Sequence, residues 1–338
     1  PEMSRGLGDV YKRQVIAIKN CDCYNSDIKI WSVIMRILAF DIGGTNIKYA
    51  VCNEKYTLTQ IQSVPTEASL GGQYIINKVL DIIDGFEDID RIAISTAGQV
   101  DSKNGIVVYA TDNIPYYTGM MVKKLVESKT GIPVYVENDV NSAAIGEAVF
   151  GAAKGCSDFL CLTFGTGIGG AIYINNELYK GSNSSAGEFG HIITHAGGRP
   201  CTCGGEGCYE QYASAKALTQ AVEKVTGKAL NGFQIFQKEN IENIEIRHVV
   251  DIWIDEIIIG LKSLISIFNP ALIVLSGGIM SEEYIIDLID RKIYKELMDN
   301  FRNVKIVNTE LGNNAGLLGV AYKACLLYTS DAADELDG

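Results

Sequence analysis

Two stretches of this chain repeat one design. LAFDIGGTNIKYAV, from Leu38, and LCLTFGTGIGGAIYI, from Leu160, each read as an apolar strand, a turn of glycine and threonine, and a strand of alternating polarity. A chain that opens both halves this way specifies a duplicated α/β fold, two lobes with a cleft between the matched turns. Around the first unit, periodicity predicts strands at 57–64, 91–95, 106–110 and 134–136, and helices at 72–83, 120–129 and 140–153. The first of these helices is expected to bury Tyr74, Ile75, Val79 and Ile82. After the second unit it predicts helices at about 212–226, 247–268 and 282–297, strands at 271–275 and 304–307, and a last helix from Ala315.

The turns have the chemistry of phosphate loops. Asp41-Ile-Gly-Gly-Thr45 puts an acid at a strand's carboxyl end; Gly43 and Gly44 let backbone N–H groups approach an anion, and Thr45 adds a hydroxyl. An ordinary hairpin turn has the same composition. Asp41 also suits a water-mediated hold on Mg²⁺. The run Gly165-Thr166-Gly167-Ile168-Gly169-Gly170 repeats the device, and since a strand follows it rather than a helix it is no dinucleotide fingerprint. Ser276-Gly277-Gly278 suits the close approach of an adenine or ribose, or simply a strand-to-helix turn. Asn138-Asp139 ends a strand and starts a helix. Asp139 there serves either as an N-cap or as a general base for phosphoryl transfer, kept ionised, and made less basic, by the helix N-terminus. Loose phosphoryl-transfer transition states ask mainly for positioning, so a weak base suffices. Asn113, in ATDNIPYY, is a further polar candidate in a turn, whereas His195 and His248 have no expected role.

The segment EFGHIITHAGGRPCTCGGEGCYE, from Glu188 to Glu210, gathers three thiols and two histidines, of which His191 is taken as the ligand. His191, Cys201, Cys203 and Cys208 make a Cys3His set, the ligand count of a closed structural Zn²⁺ site. Gly204, Gly205 and Gly207 permit the tight turns between ligands; a run of free cysteines in a glycine-rich loop is the alternative. A metal fixing His191 and Cys208 also fixes Glu188 and Glu210, and carboxylates on a rigid loop are good acceptors for a polyol's hydroxyls.

A formal charge of −12 argues against a general nucleic-acid or anionic-membrane binder, both of which need a basic face. No apolar run reaches membrane-spanning length. Of nine cysteines, three are assigned to zinc, and Cys52, Cys156 and Cys161 sit in or beside apolar runs, a usage that suits the reducing cytoplasm. PEMSRGLGDVYKRQ and LYTSDAADELDG resemble translated adapter sequence, so residues 1–34, with Cys21 and Cys23, and residues 326–338 are expected to be non-native. Met35 is the expected start, and the native chain is expected to break off near Ala324. The expected organisation is a small lobe at 35–140, a large lobe with the zinc site at 141–312, and a final helix at 313–325 packing back on the first lobe.

DIGGTNIK, VENDVNSAAIGE, GTGIGG, AGEFGH, CTCGGEGCYE and LSGGI stand in an order and spacing that resemble the ROK family of sugar kinases and repressors, over about residues 36–324. The resemblance implies an actin-like, ribonuclease-H-like ATPase fold with ATP and sugar meeting in the interlobe cleft. It implies Asp139 as base for a hexose hydroxyl, usually at C6, and Asn113, Asn138, Glu188, His191 and Glu210 as sugar ligands. By the same resemblance, Asp41, Gly44, Thr45, Thr166 and Gly277 serve Mg·ATP, with Gly43, Gly165, Gly167 and Gly278 in the same turns. His191 is expected to put one ring nitrogen on zinc and present the other to the sugar, and a homodimer is expected. Ala97 stands where family members often have proline, which bears on the sugar-side loop. The first expectation is an ATP-dependent glucokinase, ahead of N-acetylmannosamine, fructose, mannose and β-glucoside kinases. The second is a sugar-sensing repressor core, which needs a DNA-binding helix-turn-helix ahead of it.

Overall fold

The computed structural model describes residues 35–334. The expected non-native start at 1–34, Cys21 and Cys23 within it, and residues 335–338 of the expected tail lie outside the described residues.

The repeated sequence unit becomes a repeated sheet. Strands β1 (Ile37–Ile42), β2 (Asn46–Cys52), β3 (Leu58–Pro65) and β4 (Arg91–Thr96) precede a separate hairpin of β5 (Gln99–Asp101) and β6 (Ile106–Tyr109), and β7 (Val134–Asn138) follows. The second half supplies β8 (Phe159–Phe164), β9 (Ile168–Ile174), β10 (Glu177–Leu178), β11 (Leu272–Ser276) and β12 (Lys305–Asn308). The sheet orders are β3-β2-β1-β4-β7 and β10-β9-β8-β11-β12. In each, three antiparallel strands are extended by two parallel ones. Both glycine turns therefore join the first two strands of their sheet.

The central strands are apolar throughout because helices cover both faces. On the first sheet, α1 (Gly72–Ile83) and α2 (Val122–Thr130) bring Ile75, Ile76, Val79 and Val126 against Leu38, Phe40, Ile42 and Ile47. On the second, α4 (Ala215–Thr226), α5 (Ile244–Phe268) and α6 (Glu283–Glu296) bring Leu218, Trp253, Ile257 and Ile289 against Leu160, Leu162 and Phe164.

Two further long helices are exchanged between halves. Helix α3 (Asp139–Phe150) leaves β7 of the first sheet, yet its Val140 and Ala144 pack on Phe159, Cys161 and Val274 of the second. Helix α7 (Ala315–Asp334) leaves β12 of the second, yet Leu317, Val320, Ala321 and Ala324 pack on Ile37, Ala39, Ala50 and Ala93 of the first. Small residues on that sheet face let the helix sit close. The two helices also meet each other: a Cβ on Gly146 would lie 2.3 Å from Ala315 O, and one on Gly319 would lie 1.8 Å from Ser142 O. The fully buried Glu147 of α3 pins this crossing, accepting the amides of Ala152 (2.8 Å), Glu310 (3.1 Å) and Leu311 (3.0 Å) and the Thr309 hydroxyl.

The structure differs from the sequence reading in details with local causes. Helix α1 buries Ile76 and Ile83 in place of Tyr74 and Ile82, because Tyr74 turns outward to donate to Glu67 (2.6 Å). The helix expected over 212–226 is interrupted: residues Glu210–Ala213 form one turn, and Ser214 then caps α4 by accepting the Ala217 amide (3.1 Å). Helix α5 begins earlier, at Ile244, since Asn243 accepts from the amides of Glu245 and Ile246. Strands β5 and β10 are too short to show a period. The last helix runs past Ala324 to Asp334.

Candidate active site

The matched turns, the end of β7 and the cysteine-rich segment converge on one cavity of about 620 Å³. Gly44, Thr45, Asn113, Asn138, Asp139, Gly165, Thr166, Gly167, Glu188, His191, Glu210, Gly277 and Gly278 all line it. Asp41 and Gly43 do not. Gly43 closes the first turn by donating its N–H to Asn46 O (3.0 Å). Asp41 lies behind the turn, where its Oδ1 accepts from Ser95 (2.8 Å) and where Lys48 pairs with it across the β1–β2 register. Burial raises the Asp41 pKa, with Ser95 and Lys48 opposing.

Asn138, not Asp139, caps α3: its Oδ1 accepts the Asn141 amide (2.9 Å). Both Asn138 amide hydrogens are also bonded, to Gly98 O (2.9 Å) and to Asp139 Oδ1 (2.8 Å). Asp139 is thereby free of capping and oriented by its neighbour. Its Oδ1 also accepts the Val140 amide (2.9 Å). The expected lowering of its basicity is reversed. Burial, and then the charge of Asp41, push the Asp139 pKa up to about 7 against these hydrogen bonds. Desolvation outweighs the helix terminus here because the carboxylate sits at the cavity floor rather than at a solvated helix end.

On the opposite wall, Glu188 precedes the turn Phe189–His191, and its Oε2 lies 3.8 Å from His191 Nε2. His191 Nδ1 faces the other way, 3.7 Å from Cys201 Sγ. Cys203 Sγ and Cys208 Sγ are 3.6 Å apart, and the four ligand atoms lie within 4.8 Å of one another. Sulfurs bound tetrahedrally at about 2.3 Å from zinc sit roughly 3.8 Å apart, so the donor set and its spacing fit Zn²⁺. The segment folds back on itself through bridges between Ile193 and Cys208 and between Pro200 and Glu206. A side chain at Gly207 (φ +77°) would overlap His195 O. Glu210 links cluster to turn: Oε1 accepts from Cys201 Sγ (3.2 Å), and Oε2 accepts the Ile168 amide (3.4 Å). Glu206 is exposed, outside the cavity.

Sequence reasoning left out cavity residues such as Gln99, Thr111 and Thr163, which carry no motif. It also gave His195 no role, yet its ring stacks on Tyr212 at 3.9 Å and its Nε2 lies 3.5 Å from Glu256 Oε1. This histidine braces the cysteine-rich segment against α5. A smaller chamber of about 250 Å³ opens off Thr166, His191 and Glu210 and is lined further by Thr202, Gln211 and Gln220.

A duplicated sheet with two glycine turns facing one cavity, and two helices exchanged across it, defines the actin-like ATPase class of α/β proteins. Within that class the chain belongs to the ROK family, whose sequence model matches residues 37–325. It is 34% identical over 311 residues to a glucokinase of Streptomyces coelicolor, covering 84% of this chain and 96% of the relative. It is 32% identical over 295 residues to a beta-glucoside kinase of Listeria monocytogenes, covering 85% and 97%. Among solved structures, it matches a ROK family glucokinase from Streptomyces griseus in complex with glucose and AMPPNP at a TM-score of 0.78 and 31% identity, covering 86% and 99%.

Proposed function

We propose that this chain, an ATP-dependent sugar kinase, phosphorylates glucose at the C6 hydroxyl, with Asp139 as the general base. The observation that carries this reading is the Asp139 carboxylate, raised to about 7 in a cavity it shares with both glycine turns and with Glu188, His191 and Glu210. Both of its hydrogen bonds from neighbouring groups fall on Oδ1, so Oδ2 is the atom left for a substrate proton. A base poised near neutrality takes that proton as the hydroxyl attacks the terminal phosphorus, and the bond from phosphorus to the bridging oxygen of ADP breaks.

Positioning does the rest. Asn138 orients the base, while Asn113, Glu188, His191 and Glu210 are suited to the sugar's hydroxyls. Gly44, Thr45, Gly165, Thr166 and Gly167 offer N–H and hydroxyl groups to the phosphates, and Gly277 and Gly278 clear room for the nucleoside. A side chain at Gly277 (φ +112°) would lie 2.2 Å from Phe164 O. Asp41, a partly buried carboxylate behind the first turn, would hold Mg²⁺ through water, and the ion would offset phosphate charge. His191, Cys201, Cys203 and Cys208 would hold Zn²⁺, which stiffens the wall that carries Glu188 and Glu210.

Glucose is favoured by the likeness to two glucokinases, and β-glucosides are the runner-up by the likeness to the Listeria enzyme. The test is ADP release from Mg·ATP across a panel of hexoses, N-acetylhexosamines and β-glucosides. Turnover highest with glucose is the expected result. Turnover highest with another sugar reassigns the substrate. A folded protein that binds sugar and releases no ADP with any of them overturns the kinase reading in favour of a sugar sensor.

A further inference from the structure

We propose that Lys180 and Glu137 are a positioning pair for the kinase reaction, tying the loop that leads to Glu188 onto the strand end that carries Asp139. The inference rests on the sugar-kinase reading. Glu137 is the penultimate residue of β7 and fully buried. A buried carboxylate has to be matched, and this one is. Oε1 accepts the Asn138 amide (3.1 Å) and Asn141 Nδ2 (3.3 Å); Oε2 accepts the Tyr135 hydroxyl (2.7 Å) and Lys180 Nζ (2.5 Å). The cation comes from the other half of the chain, two residues after β10, and also donates to Ser102 Oγ.

What Lys180 begins, Glu188 ends. Between them Gly181, Ser182 and Asn183 are exposed, and the segment rejoins the core only at Ala186 and Gly187. Its ties to the first half are polar: Lys180 on Glu137 and Ser102, and Ser185 Oγ donating to Gln99 Oε1 (2.6 Å). Glu137 and Asp139 flank Asn138, whose amide proton rests on the first and whose side chain rests on the second. An ion pair buried at its Glu137 end and half-buried at Lys180 thus ties the sugar wall to the strand end that carries the base. Lys323 of α7 lies close enough for its charge to feel both Lys180 and Glu137, and it is the cation that a Lys180 variant would fall back on.

The test compares Lys180→Met, Lys180→Arg, Glu137→Gln, the Lys180→Met/Glu137→Gln double variant and Lys180→Met/Lys323→Met, each with zinc content and melting temperature recorded. Steady-state ADP release gives kcat and separate KM values for sugar and ATP, and calorimetry without nucleotide gives sugar affinity. The expected result is a sugar KM raised about tenfold and kcat lowered about fivefold in Lys180→Met, with ATP KM within about twofold and recovery in Lys180→Arg. The double variant is expected to be no worse than the poorer single one. Folded Lys180→Met/Lys323→Met protein with wild-type sugar affinity and kcat overturns the proposal, as does a loss shared equally by sugar and ATP. Absence of turnover in the wild type sinks the kinase reading instead, and calorimetry then still decides whether the pair sets sugar binding.

Discussion

Replacing Asp139 with asparagine is expected to remove activity and add stability. The carboxylate's pKa is pushed from 3.8 to about 7, chiefly by burial and next by the charge of Asp41. At about 1.4 kcal/mol per pKa unit, holding the charge costs the folded state at most about 4 kcal/mol, and less because the group faces cavity water. The sign follows from the direction of the shift. Between the unfolded and folded values the native protein keeps a proton that the unfolded chain releases, so stability falls as pH rises through that window. Above about 7 the cost is complete; below 3.8 it is absent. The Asn138 bond and the Val140 amide both fall on Oδ1, which asparagine retains. Asp139→Asn is therefore expected to gain about 1–3 kcal/mol over the wild type on the alkaline side and nothing at acid pH. Its kcat is expected to fall by about 10²–10⁴. In the wild type, kcat/KM for the sugar is expected to climb with pH through a midpoint near 7, standing about tenfold below its alkaline plateau one pH unit below the midpoint. Urea titrations and ADP release across pH measure both. A variant that keeps more than about a tenth of wild-type turnover, a flat profile through neutrality, or a variant less stable than wild type on the alkaline side would each refute the reasoning.

Removing the Asp41 charge by Asp41→Asn takes away the second cause of that shift, so the rising limb is expected to move to lower pH; a limb that stays in place or moves up contradicts the assigned coupling. Elemental analysis of protein purified without chelator is expected to find about one zinc per chain. Cys203→Ser, at an exposed ligand away from the cavity, is expected to lose the zinc and raise sugar KM about tenfold through His191, and zinc loss with unchanged KM would sever that link. Glu147→Ala orphans three backbone amides and a hydroxyl where α3 meets the connection into α7, which is expected to cost about 3 kcal/mol or more in urea unfolding; a loss under about 1 kcal/mol would deny it that role.

Local chemistry was legible in the chain itself. The repeated strand-turn-strand unit specified two like sheets, because alternation and all-apolar runs report directly which faces are buried. Three thiols and a histidine within a glycine-rich segment specified one cluster, because ligands so close in sequence have few ways to avoid each other. What the sequence left open depended on partners far along the chain. Asn138 and Asp139 are both good caps, and which one caps α3 is decided by Gly98 O and by the depth of the cavity, neither of which is local. The rise in Asp139 basicity comes first from burial in the cavity and next from the charge of Asp41, brought near by the order of β1, β4 and β7. Lys180 carries no motif at all; only the approach of β10 to the end of β7 gives it Glu137. The last helix was expected to pack back on the first lobe, but the crossing of α3 to the second sheet was invisible, since an amphipathic helix declares that it must bury a face, and only the tertiary structure decides which sheet receives it.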